Sequence, residues 1–215
     1  MAFGEVGTAL SKIKSPAVNL ADTFAFSGTV TGFDKTSLTL LSTFTSDGSD
    51  DNATFSDSII TSTFDEYLFI FNNIHPQTDG KFFTCQFNAV GAADFNETVT
   101  TTFFQSYHKE NNSSTELAYS ASDDQAQGTD FIRLTATVGS DNDQCASGTM
   151  RLYNPSSTTF VKHFTSEVCI TQNGDSAMDL FVGGYINTTA AIDEIQFKFN
   201  SGQIQAGTIS VFGVA

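Results

Sequence analysis

Alternation of apolar and polar positions organises this chain. In Lys81-Phe-Phe-Thr-Cys-Gln-Phe-Asn88, Phe83, Cys85 and Phe87 fall on one side and Thr84 and Gln86 on the other. Ile195, Phe197 and Phe199 alternate with Gln196 and Lys198; Ile209 and Val211 alternate with Thr208, Ser210 and Phe212. Successive side chains of an extended chain point to opposite faces, so period-two patterning marks half-buried antiparallel strands. Further strands are expected over 36–45, 54–60, 66–73, 98–108, 130–138, 147–153, 159–171 and 178–186. Between them lie loops with turn chemistry, among them Ser46–Asn52, His75–Gly80, Lys109–Ser114, Gly139–Asp143, Asn154–Ser157, Gln172–Asp175 and Asn200–Gly202. Short strands joined by polar loops predict an all-β fold, an antiparallel β-sandwich of jelly-roll type, over residues 23–215.

Residues 1–22 follow a different rule. Val6, Ala9, Leu10 and Ile13 recur at helical spacing, and Pro16 supplies a stop. Lys12 and Lys14 balance Glu5 and Asp22, so the segment is neutral. Two readings stand side by side. In one it is an N-terminal docking arm that buries Phe3, Val6, Leu10 and Ile13 in a partner; in the other, a terminal helix packed on its own sandwich.

Composition narrows the function. Nine Lys+Arg against 24 Asp+Glu give a net charge of −15, which the sandwich carries entirely. Phosphate neutralisation needs clustered cations, so no nucleic-acid partner is expected. Twenty-two Phe exclude a disordered acidic chain, and set among Thr and Asp they are all expected in the core. With 29 Thr and 23 Ser, the outer faces should be hydroxyl-rich. No apolar run reaches a membrane span and no signal peptide opens the chain, so synthesis in a cytosol without membrane insertion is expected. Asn52, Asn96 and Asn187 head Asn-x-Ser/Thr triplets, chance matches in a Thr-rich chain without an export signal. Cys85, Cys145 and Cys169, odd in number and widely spaced, are expected as reduced, mostly buried thiols.

No catalytic constellation stands out, so a non-enzymatic protein without cofactor or resident metal is expected. His75, His108 and His163 lie far from the cysteines, and neither a nucleophile elbow nor a phosphate-cradling loop occurs. Asp193 and Glu194, as strand neighbours, should face opposite ways, which argues against an acid–base pair there. The oxygen-rich turns Asp47–Asn52 and Asp141–Asp143 are the best calcium candidates, although neither fits the helix–loop–helix calcium pattern. Solvated acidic turns are the alternative.

Three stretches together carry a family resemblance: Phe71–Asp79, Leu152–Phe164, and Asn187–Gly213 with its ending Ser201-Gly202, Ile204, Gly207-Thr208 and Val211-Phe212-Gly213. They resemble virion structural proteins of tailed phages of marine bacteria and cyanobacteria. The resemblance covers most of residues 23–215 and implies a non-enzymatic β-sandwich displayed on the particle, assembled in the host cytoplasm. It offers no catalytic residues and leaves the position open: capsid decoration or cement, head fibre, or tail-fibre tip. Partners implied are other virion structural proteins and further copies of the chain; viral jelly rolls suggest symmetric oligomers, trimers among them. The competing reading is an adhesin tip that binds a host receptor or glycan through Tyr107, His108, Tyr119, Asp123 and Asp124, near expected loops. A polysaccharide depolymerase, needing a carboxylate pair in a cleft, ranks last.

Overall fold

The computed structural model describes residues 38–214; the candidate arm, with Phe3, Val6, Leu10 and Ile13, lies outside the described residues. Among the described residues, thirteen antiparallel strands form one sheet folded over on itself. They are β1 (Leu38–Thr45), β2 (Ala53–Phe55), β3 (Glu66–Pro76), β4 (Lys81–Ala89), β5 (Val99–Lys109), β6 (Thr115–Tyr119) and β7 (Ala126–Gly128), followed by β8 (Ile132–Val138), β9 (Ala146–Tyr153), β10 (Lys162–Gln172), β11 (Ser176–Ile186), β12 (Ile192–Phe199) and β13 (Ile204–Val214). The larger layer runs β1–β13–β3–β9–β10–β11–β5, with β6 and β7 end to end along the far side of β5. The smaller runs β8–β4–β12–β2. Among the described residues one ladder pair, Gln172 with Val138, joins the layers, with Asn173 N donating to Thr137 O at 3.2 Å beside it. Consecutive β3 and β4 lie in different layers and pair with β13 and β12, which are also consecutive. Two connections thus cross side by side from one layer to the other, the wrapping that defines a roll.

Phenylalanine fills the space between the layers. Phe197 of β12 sits 5.3–6.2 Å, ring to ring, from Phe55, Phe69, Phe71 and Phe83, and Phe87 meets Phe164 at 5.4 Å. The three alternating runs face this core as expected: Phe83, Cys85, Phe87, Ile195, Phe197, Phe199, Ile209 and Val211 are all buried. Each such ring contributes about 1.5–3 kcal/mol by burial, with a further increment from edge-to-face geometry.

Several expectations need correction. Strand 54–60 ends at Phe55, because the Ser56 carbonyl turns back to accept the amides of Ile59 and Ile60 at 2.8 and 3.0 Å. The strand expected from 159 starts at Lys162, and strand 66–73 continues to Pro76. Short and mostly exposed, β6 and β7 carry too little pattern to be foreseen. Strand β4 is buried on both faces, since the segments around Glu97 and Thr129–Asp130 cover its polar side. There Gln86 Nε2 bonds the carbonyls of Glu97, Thr129 and Asp130 at 3.3, 3.1 and 2.9 Å. Of the thiols Cys85 alone is buried; Cys145 is half-buried and Cys169 exposed, all three free. Not every Phe is core. Phe104 and Phe160 are exposed, because Phe103 takes the inward position of a Phe-Phe pair and Phe160 precedes its strand.

Candidate binding surface

The outer face of β10, β11, β5 and β6 concentrates the exposed aromatic area. Register places Phe181 of β11 opposite Phe104 of β5, and Phe104 opposite Tyr119 of β6. Phe104 and Phe181 stack at 4.9 Å with rings 9° from parallel. Phe104 is 41% exposed and Tyr119 55%. One step along, Ser106 separates Leu117, 76% exposed, from Asp179. Phe104, Phe181, Tyr119 and Leu117 form an apolar terrace on a face that otherwise carries Thr, Ser and carboxylates together with His108, His163, Cys169 and Tyr185. Beside it Gly183 leaves a hollow of about 370 Å³, flanked by Thr102, Thr165, His163 and Tyr185.

The polar setting of the terrace is anionic. Tyr119 donates its hydroxyl to Asp124, and that acceptor, with its charge, raises the phenol above its usual range, so Tyr119 stays protonated. Glu167 lies opposite Phe181, and Asp179 opposite Ser106. The structure therefore brings Tyr119 and Asp124 together and places His108 on the same face, two alternations from Phe104. It separates the other two candidates. Tyr107 points to the opposite face, where its hydroxyl lies 3.1 Å from Ser114 Oγ. Asp123 pairs with Arg133, whose guanidinium lies 3.4 Å over the Phe82 ring; that is a cross-brace. Tyr107 and His108 occupy a strand and not a loop, and His108 Nε2 meets Asn112 Oδ1 at 3.0 Å across the following turn. Phe104 and Phe181 escaped sequence reasoning because all Phe were assigned to the core; the adjacent pair Phe103-Phe104 was the available signal.

A second cavity, about 560 Å³, lies where β3 and β13 bulge against each other, and it unites His75 with Cys145 beside Asn73, Asn142 and Gln205. Its chemistry is muted. Burial pushes the Cys145 thiol up, its Sγ lies 3.9 Å from Asn73 Oδ1, and His75 Nε2 faces the Asp141 carbonyl at 3.2 Å. A thiol held protonated is a poor nucleophile.

Of the two calcium candidates, Asp141–Asp143 is an exposed turn, and Asp47–Asn52 spends its carboxylates on its own backbone and on Ser49. Asp47 Oδ1 accepts Ser49 N and Ser49 Oγ at 3.0 and 2.8 Å, and Asp50 Oδ2 accepts Asp47 N at 2.8 Å. Ser49 thereby lowers the Asp47 carboxyl below its usual range. Among the described residues, no three His, Cys, Asp or Glu converge as metal ligands, and no helix is long and apolar enough to cross a membrane. At Asp193 a bulge between Ile192 and Glu194 interrupts the alternation. Burial, then the neighbouring Glu194 charge, raises the Asp193 carboxyl.

Fold and surface together define an all-β sandwich with an exposed aromatic terrace on its larger layer. No protein-family model matches the chain, and no significant match is found among curated proteins or solved structures.

Proposed function

We propose that this chain is a non-enzymatic virion surface protein that acts by contact, docked through residues 1–22 with its sandwich displayed. The contact role rests on one observation, the Phe104–Phe181–Tyr119–Leu117 terrace on a hydroxyl-rich face. The virion assignment rests on the sequence resemblance of the three stretches above. The strong negative charge suits a protein displayed in many copies, because like charges keep the copies soluble. The test is particle incorporation: the full chain co-purifies with particles, while a chain lacking residues 1–22 folds but stays in the soluble fraction. Incorporation of the shortened chain, or absence of the full chain from particles, overturns the assignment.

A second reading, glycan adhesion, draws on the hollow at Gly183. Aromatic rings beside Tyr119–Asp124 and Glu167 offer apolar faces and hydroxyl acceptors, the pairing a neutral sugar presents in reverse. Glycan-array binding that Phe104→Ser and Phe181→Ser both abolish supports it. A flat array for the folded chain removes it.

A further inference from the structure

We propose that two copies of this chain join through their β6 strands, antiparallel about a two-fold axis at Leu117, so that one sheet runs through both subunits. Strand β6 pairs with β5 on one side and, among the described residues, with no strand on the other. The phase of its hydrogen bonding is fixed at both ends. Ser120 N donates to Phe103 O at 2.8 Å, and Lys109 N to Ser114 O at 3.0 Å. With the β5–β6 register, Glu116 and Ala118 therefore exchange backbone bonds with β5. The N–H and C=O groups of Thr115, Leu117 and Tyr119 point away from it.

Such an edge ordinarily carries a device against pairing, such as Lys, Pro or a bulge. Thr115-Glu-Leu-Ala-Tyr119 has no Lys, Pro or bulge, and its one charged residue, Glu116, lies on the face opposite Leu117. The strand is instead self-complementary. A two-fold axis at Leu117 sets Leu117 opposite the partner's Leu117 and Tyr119 opposite the partner's Thr115. Every outward backbone group of these residues then finds a mate. Shifting the axis to Glu116 strands the outward groups of Tyr119 beyond the partner strand and sets the two carboxylates face to face. With the axis at Leu117, Glu116 faces the partner's Ala118 and the two acids sit one diagonal step apart. Leu117, the most exposed of the large apolar side chains described, is covered by its own copy. The two terraces become one surface crossing the axis. This pairing is two-fold, in contrast to the trimer that viral jelly rolls suggest, and it holds whatever particle or ligand the terrace meets.

Sedimentation equilibrium of the full chain decides the matter. The expected result is a reversible monomer–dimer equilibrium at micromolar concentration, with the dimer at twice the 23.1 kDa chain mass. Leu117→Pro deletes the outward N–H while sparing the bonds to β5, and Pro is tolerated at such edge positions. It should weaken association roughly a hundredfold with the circular dichroism unchanged. Leu117→Lys, which leaves the backbone intact and sets like charges at the axis, should do the same and carries the test if the proline variant fails to fold. A trimeric mass, a monomer at every concentration, or a dimer that both folded variants retain overturns the proposal. A monomer whose Leu117 amide resists hydrogen exchange also overturns it, and assigns the edge to residues 1–37 of the same chain.

Discussion

At the residue scale the least expected group is Lys162. On β10 the lysine, and not His163, turns inward, because it shares the alternation of buried Phe164. The side chain is fully buried, and the three N–H groups of Nζ are shared among the carbonyls of Ser157, Phe160, Thr188 and Ala190. Burial lowers its pKa, and the charge of Glu97 opposes that shift. The ammonium thus ties the loop before β10 to the loop before β12. Replacing it with apolar Met leaves those carbonyls without a donor, and Lys162→Met should lose about 3 kcal/mol in chemical denaturation. An unchanged midpoint would show that water satisfies them instead. Asp193 presents the opposite sign. Its folded pKa lies above the ordinary value of 3.8, so the folded state holds the proton more tightly than the unfolded chain. Its contribution is complete below pH 3.8 and declines as pH rises through the folded value. Since the group is largely solvated, Asp193→Asn should stabilise at neutral pH by roughly a few tenths of a kcal/mol. That gain should vanish at pH below 3.8, and paired melting curves at the two pH values read both halves.

Between elements, the strands with an alternating face were legible and the edges were not. Strand β12 announces itself because Ile195, Phe197 and Phe199 must all reach one core while Gln196 and Lys198 do not. Strand β6 has a single strongly apolar residue, Leu117, and it points outward; burial, the source of the pattern, never acts on it. The same limit hid the terrace, since an outward Phe104 beside an inward Phe103 reads as a longer apolar run. Bulges are equally silent, because an extra residue alters register without altering composition. The β3–β13 bulge depends on Gly207, which adopts φ of +112°. A Cβ there would lie 2.6 Å from the Asn73 carbonyl oxygen, a backbone atom that has no room to retreat. Gly207→Ala should therefore cost about 2 kcal/mol or more, combining left-handed strain with overlap. Hydrogen exchange should localise the loss to β3 and β13 around the His75–Cys145 cavity. A variant as stable as the parent would mean that the two strands can shed their bulge.

For the whole molecule, charge and edge geometry work against each other, and their balance sets how copies meet. Every copy carries −15, so two sandwiches repel until they are close. The described surface answers that repulsion where apolar area and an unpaired edge coincide at the β6 strand, with Leu117 and Tyr119. Repulsion between exposed charges is screened over about 10 Å at 0.1 M salt and about 3 Å at 1 M, whereas backbone pairing and apolar contact persist. Raising sodium chloride from about 0.1 M to about 1 M should therefore increase the dimer fraction at fixed protein concentration. Contact made through ion pairs would weaken over the same range. Sedimentation velocity measures this directly, with Leu117→Lys as the sharper case: its two added ammonium groups face each other at the axis, so salt should restore part of the lost association. A dimer fraction that falls with salt would mean that charge, and not the edge, holds the copies together. The same balance predicts that this acidic sandwich stops at the dimer: net charge limits encounters, and a two-fold axis at Leu117 closes the β6 edge after a single partner.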